Sequence, residues 1–407
     1  MLTLSNEIKK PILKHINNNT VLLGGPGSGK TRSCVMPTLL SASGENYLIL
    51  DPKGELEDCC KETMIANGYS VKRIDFQNPY DSDLHFNPLT RCQTEQDIMK
   101  LSSILMEDQK NRCVDIFWGI TGSMLLNAVV SYLVKYRPAY QQTLHSVLKL
   151  LNASNILEES TGKTKLDKIF EEAKGINPNS FALEQYNAVR CSADKTFKSI
   201  VISSVASFTG FLTDGIKDLT SYDDIDAVID GFASKDHQAV FVRISDINRT
   251  NVDKLTLLFI QQFIDGLYRR ADSSPKHCLK TPCVLMLDDV GPILPTIKNL
   301  NCLISTSRGR NISFVLILQS LGQIKEIFPK DYTSILSGCA NIAYFSSNDL
   351  ETAKEFSERL NLPLSEVLYK STDSVYVFEQ GTSPKLCNRY NFESDRHIAD
   401  YGTEMEL

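Results

Sequence analysis

The chain has 407 residues, enough for two or three domains and a sizeable core. Apolar residues make up 42% and charged residues 23%, which excludes a disordered or fibrous chain and matches an ordinary soluble protein. The net charge of −6 excludes a wholly basic surface but leaves room for nucleic acid in a local channel.

Met1 to Thr20 is polar and lysine-bearing and lacks the apolar run of a signal peptide. Val21 to Leu23 reads as a short buried strand. It leads into Gly24-Gly25-Pro26-Gly27-Ser28-Gly29-Lys30-Thr31, which fits G-x-x-x-x-G-K-[ST]. The glycines let the backbone turn its N–H groups toward a polyphosphate. Lys30 reaches the β- and γ-phosphates in such a loop, and Thr31 offers its hydroxyl to Mg²⁺. The expected nucleotide-binding set is Gly24 to Thr31 with the adjoining Arg32. Arg32 to Leu40 opens a helix at least as far as Pro37.

Asn46 to Leu50 reads as a second strand, ending at Asp51-Pro52-Lys53-Gly54-Glu55-Leu56. Asp51 and Lys53 line a ligand cleft if this is a strand's C-terminal end in an open α/β sheet, and form a simple turn otherwise. Val71 to Phe76 looks like a third strand, followed by Phe86-Asn87-Pro88-Leu89. Strands alternating with helices predict a parallel sheet.

From about Thr94 helical periodicity takes over, in Ile98–Met106, Ile116–Lys135, Leu144–Leu151 and Lys195–Leu212. Ile116 to Val134 carries no charge, but Thr121, Ser123, Asn127 and Ser131 predict a buried helix rather than a lipid-facing one. Trp118 is expected in the core rather than as a base-stacking platform. Strand texture resumes at Ala239–Ile244. Asp253 to Arg270 predicts a helix with Leu255, Leu258, Phe259, Phe263 and Leu267 on its core face. The last strands are expected at Cys283–Leu287, Ile312–Leu318, Asn341–Ser346 and Ser374–Glu379. Eleven cysteines without a Cys-x-x-Cys pair predict buried, reduced thiols, and the six histidines form no metal-like cluster.

A phosphate loop needs a metal partner, and Asp288 at the end of an apolar strand supplies one. The next residue, Asp289, orients or deprotonates the attacking water. Gln319, ending the following strand, touches the γ-phosphate and reports nucleotide state. Arg308 and Arg310 precede that strand, and either suits a guanidinium supplied to a neighbouring subunit's site. Spacing does not choose between the two. Seven or eight strands with one inserted group of helices fit a P-loop ATPase core: residues 1–90 and 223–407 form it, and residues 91–222 form an all-α insertion.

These motifs, in this order, resemble the type IV secretion coupling proteins, the TraG/TraD-type conjugative DNA-transfer ATPases. The resemblance covers about Asn18 to Tyr390. It rests on the phosphate loop, Asp51-Pro-Lys-Gly-Glu-Leu56, Phe86-Asn-Pro-Leu89, Phe117-Trp118, Lys195-Thr-Phe-Lys-Ser-Ile200 and Leu285 to Gln323. It implies an α/β, RecA-like fold with a mainly parallel sheet and an all-α insertion. It also implies ATP and Mg²⁺ as ligands and a homo-hexamer whose sites each receive an arginine from the neighbour. Hydrolysis would pump relaxase-bound single-stranded DNA toward a type IV secretion channel, with the relaxase recruited by the all-α domain. The place implied is the cytoplasmic face of the membrane.

Two departures stand out. The family usually has Asp-Glu where this chain has Asp288-Asp289. The shorter side chain draws the carboxylate back by about 1.5 Å, and such misplacement costs on the order of 100-fold in rate. Family members also usually carry transmembrane helices before the phosphate loop, so membrane contact here is expected through partners or a missing anchor. An alternative reading is therefore an ATP-binding docking module with little turnover. A small-molecule P-loop kinase leaves the helical insert and Arg308 to Gln323 unexplained.

Overall fold

The computed structural model of the protein describes residues 1–106, 116–154, 163–208, 211, 213–234, 237–244, 249–288, 297 and 299–392, with the side chains of 249–253 excepted. Two compact units are present. One comprises residues 1–73, 226–244 and 263 onward, and the other residues 74–225 and 245–262.

The strands are Leu2–Thr3 (β1), Lys9–Lys10 (β2), Thr20–Leu23 (β3), Asn46–Leu50 (β4), Ser70–Asp75 (β5) and Gln238–Arg243 (β6), then Cys283–Leu287 (β7), Ile312–Leu318 (β8), Asn341–Tyr344 (β9), Ser374–Glu379 (β10) and Lys385–Asn388 (β11). β1 and β2 pair with each other, and the other nine form one sheet ordered β11-β10-β9-β3-β8-β7-β4-β6-β5. From β9 to β6 every neighbour is parallel, and β10 and β11 run antiparallel at the edge. Every residue of β3, β4, β7, β8 and β9 is buried. Strands covered on both faces have no polar side to alternate with, which is why these read as continuous apolar runs.

This order has one consequence for chemistry. β3, β8, β7 and β4 lie side by side and parallel, so their C-terminal ends share one edge. Gly24, Gln319, Asp288 and Asp51 are the residues that follow those four strands.

The second unit is helical. Its longest helix inside the insert, Phe117–Tyr136, is long and apolar enough to cross a membrane, yet 61% of its apolar window is buried. It packs along Phe181–Arg190 and Asp194–Ala206. Phe170 and Tyr186 stack in parallel at 4.0 Å between ring centres, with Tyr132 and Phe197 against them. Trp118 is half-buried beside the exposed Phe117, with the ring centres 5.1 Å apart.

Four local expectations need refinement. Thr31–Val35 is a π-turn, and the α-helix starts only at Met36, with Pro37 in its first turn, where a missing N–H costs nothing. The sheet has nine strands rather than seven or eight, because β11 is an exposed edge strand with a single buried residue. The polar N-terminus contributes Leu2, Leu4 and Ile12 to the main core. The helix expected to reach Leu212 ends at Ala206, and Leu212 lies outside the described residues. Among the described residues eight cysteines are buried and free, while Cys191 and Cys302 are exposed.

Candidate nucleotide site

Gly24 to Thr31 turns sharply between β3 and the helix that follows. Gly27 and Gly29 have φ of +72° and +89°, a region that side chains rarely adopt. Gly24 is needed for a different reason: a Cβ there would lie 2.5 Å from the Cβ of Phe345. The loop is tethered on both sides, by Gly24 N–H donating to Leu318 O (3.2 Å) and Gly25 N–H to Ser346 O (2.9 Å).

Lys30 folds over this loop, its Nζ donating to the carbonyls of Gly24 (2.6 Å) and Gly25 (3.0 Å). Thr31 Oγ1 donates to Asp288 Oδ2 at 3.1 Å. That contact joins residues 257 positions apart and brings the expected metal pair together. Among the described residues the buried Ser28 hydroxyl has no hydrogen-bond partner. An orphaned hydroxyl, an ammonium resting on its own loop's carbonyls and a hydroxyl–carboxylate pair fit a magnesium polyphosphate.

Asp51, 2% exposed, lines the same cleft as Lys30, Thr31, Lys53, Asp288 and Gln319. Burial pushes its carboxyl up to about 6, and the Asp288 charge adds to this, against the N–H groups of Glu57 and Leu56 and the Arg243 guanidinium. Glu57 N–H donates to Asp51 Oδ2 at 2.8 Å, so the carboxylate also ties down the first turn of helix Glu55–Ala66. Burial opposes the charge of Glu57 as well, but Arg73 (Nε and Nη2 both 2.6 Å) and Arg243 (3.1 Å) hold its carboxyl below the usual range. Arg243 crosses directly over Gly54, where a Cβ would be 2.6 Å from its Cζ. The cleft reading of Asp51-Pro-Lys-Gly-Glu thus combines with the turn reading.

Gln319 N–H donates to Gln323 Oε1 at 2.9 Å, and Gln319 sits where two cavities meet beside the loop. Asp289 lies outside the described residues.

Arg308 and Arg310 are not in this cleft. They form a short turn before β8, at the end of that strand opposite Gln319. Seven strand residues separate the two ends, roughly 23 Å. Arg310 is spent on its own chain: it makes a two-pronged pair with Asp272 (2.7 and 3.1 Å) and lies over the Tyr268 ring. Arg308 is exposed, and no side-chain hydrogen bond or ion pair is made by it among the described residues. Asn19, just before β3, fixes this corner through Ile304 O, Ser307 Oγ and the N–H of Phe314.

Two cations escaped sequence reasoning. Arg389 follows β11, with Nη1 3.5 Å from Ser28 O. Lys370 is half-buried and its ammonium is pushed down to about 8 by desolvation. It donates to Ser374 O and faces a polar cavity shared with Gly25 to Ser28 and Gln319. Neither has a motif around it; β11 brings Arg389 back by strand pairing alone.

Comparison with known proteins decides the family. Residues 11–361 match the family described as type IV secretory system conjugative DNA transfer. This chain belongs to that family. It is similar to the type IV secretion system-coupling proteins VirD4 of Bartonella henselae (strain Houston 1), 25% identical over 358 residues, and Bartonella quintana (strain Toulouse), 24% identical over 363. Each alignment covers 84% of this chain and 53% of the relative, so the chain spans about half the length of the curated relatives it matches. The fold is that of the bacterial conjugative coupling protein TrwB: its N70-deleted form superposes with a TM-score of 0.63 at 13% identity, covering 91% of this chain and 84% of that one. A TrwB structure in complex with ADP and Mg²⁺ matches equally well, with a TM-score of 0.63 at 12% identity. VirB4 of Thermoanaerobacter pseudethanolicus follows with a TM-score of 0.56 at 13% identity over 96% of both chains. The family and the RecA-like α/β fold expected from the motifs are therefore established.

Proposed function

We propose that this chain is the motor part of a conjugative coupling protein. It binds ATP with Mg²⁺, hydrolyses it within a homo-hexamer, and drives relaxase-bound single-stranded DNA toward a type IV secretion channel. The observation that carries this reading is the Thr31–Asp288 contact beside Lys30, at the shared edge of four parallel strands. Thr31 and Asp288 would hold Mg²⁺, which supplies charge neutralisation between the β- and γ-phosphates. Lys30 leaves the loop carbonyls for the phosphates. Gly27 and Gly29 offer their N–H groups, Gln319 senses the γ-phosphate, and Asp289 takes the proton of the attacking water.

Arg308, exposed and without a side-chain partner among the described residues, is the arginine we assign to the neighbour's site. Its distance from the chain's own loop requires a second subunit. The 91–222 domain receives the relaxase–DNA complex, at the cytoplasmic face of the membrane and in contact with it through partners or an anchor.

The test is steady-state ATP hydrolysis with and without single-stranded DNA, beside Lys30→Ala. DNA-stimulated turnover that disappears in the variant is the expected result. Activity should rise more steeply than linearly with protein concentration, because the site needs a neighbour. Strictly linear activity across the assembly range overturns the role in trans. Arg308→Ala should lower kcat by on the order of 10³-fold, within the range of arginine fingers.

A docking module with little turnover is favoured by one feature, Asp289 in place of the family's Glu. Nucleotide binding without DNA-stimulated hydrolysis, restored by Asp289→Glu, would establish it in place of the motor.

A further inference from the structure

Two of the cavities that border the phosphate loop differ in their lining. One holds Asp288, Asp51 and Gln319 and is the side of the metal and the γ-phosphate. The other lies across Lys30 and Thr31, and is lined by Gly27, Gly29, Arg32, Ser33 and residues 389–392. Three cations, Lys30, Arg32 and Arg389, face this second cavity, and among the described residues no carboxylate lines it. A polyphosphate that puts its γ-end at Asp288 must leave the loop on the opposite side, because Lys30 marks the β- and γ-phosphates and Thr31 the metal.

Arg389 is built into that exit. Its Nη1 lies 3.5 Å from Ser28 O, and a Cβ on Gly29 would be 2.7 Å from the same atom. Asp373 steers it from behind, its Oδ1 3.6 Å from Nη2. The strand that carries it is held by Glu7, whose carboxylate accepts from the N–H and Nδ2 of Asn388 (3.1 and 2.8 Å). Tyr390, next along, is buried with Lys9 over its ring, which fixes the backbone at this point. The neighbouring Ser28 hydroxyl is buried and makes no hydrogen bond among the described residues.

We infer that Arg389 is a nucleotide-binding residue acting within its own subunit: it grips the α-phosphate of a nucleoside di- or triphosphate, and the nucleoside leaves the loop past Arg389 to Phe392. This rests on the loop being a nucleotide site. It separates the arginines by task. Arg389 holds ground state and transition state alike, so it lowers KM and leaves kcat unchanged. The arginine from the neighbour acts on kcat.

The experiment is a titration of the intact protein with a fluorescent ADP and, separately, with inorganic tripolyphosphate as competitor, for the unaltered chain, Lys30→Ala, Arg389→Ala and Arg389→Lys. Arg389→Ala should weaken ADP about tenfold and raise KM for ATP by a similar factor, with kcat within twofold. Arg389→Lys should recover part of the affinity, since a point charge replaces the fork. Tripolyphosphate, whose third phosphate takes the place of the α-phosphate, should weaken by a similar factor in Arg389→Lys. If Arg389→Ala binds ADP as the unaltered chain does while Lys30→Ala does not, the assignment of Arg389 fails and the nucleotide site stands. If the unaltered chain binds no ADP, both fall together. A fall in kcat with KM unchanged would also overturn the assignment.

Discussion

Two buried aspartates, one in each unit, have been treated in opposite ways. Asp167, in the helical unit, is surrounded by donors. Thr164 gives it both N–H (2.8 Å) and Oγ1 (2.7 Å), Tyr186 its hydroxyl (2.8 Å) and Arg190 its Nε (2.8 Å). Burial works against its charge, yet those donors hold its carboxyl down at about 2. Asp51, at the edge of the sheet, has backbone donors and a distant guanidinium, faces a second carboxylate, and is pushed up to about 6. The first carboxylate stabilises the fold as an anion, and the second is kept as an anion at a cost. A carboxylate held against its preference belongs where a cation or a ligand is due to arrive.

Removing the charge at Asp51 tests this difference with the largest effect. The folded value of about 6 lies above the usual aspartate value of about 3.9, so folding favours the protonated form. The penalty is absent below pH 4, grows between about 4 and 6, and is full above 6. Asp51→Asn should therefore raise stability at pH 8 by up to about 3 kcal/mol. The gain should vanish at pH 4 in urea melts, and ATP hydrolysis should fall. Loss of stability at pH 8 would show that the contact with Glu57 N–H outweighs burial, and the two carboxylates would then be alike.

Asp167→Asn should act the other way. Its folded value lies below the usual aspartate value of about 3.9, so its stabilisation is present above about 4 and is lost as pH falls toward 2. Solvent reaches the site, so we expect about 1–2 kcal/mol of destabilisation at pH 7. Nucleotide affinity should not change. Weaker ADP binding in this variant would break the separation between the two sites.

The smallest effect is expected at Arg310. Its pair with Asp272 is partly exposed, and Arg310→Ala should cost about 1 kcal/mol or less. Turnover should stay within a few-fold, in contrast to Arg308→Ala. Equal losses of kcat in both variants would return the choice between them to where spacing left it.

Much of the site was legible because it is local. Gly24 to Thr31 is one turn of chain whose backbone shape fixes its residue types, and Asp288 ends a strand whose apolar run is plain in the sequence. Strand limits at Ile312–Leu318 and Ser374–Glu379 were read to the residue. β11 was not, because an edge strand facing solvent needs no apolar alternation. The distinction between Arg308 and Arg310 was closed to the sequence: both sit in one Ser-Arg-Gly-Arg turn, and only the fold puts Asp272 and Tyr268 beside one of them.

By itself the sequence determined the family, the parallel order of strand and helix, and the loop that takes phosphate, since each follows from residues adjacent in the chain or periodic along it. The tertiary structure alone decided which distant side chains face that loop. Asp51 comes next to Asp288 because β4 pairs with β7, and Arg389 comes over Gly29 because β11 returns along β10. Strand pairing is set by burial of whole faces, and it places polar residues at shared edges without leaving a mark in their neighbours.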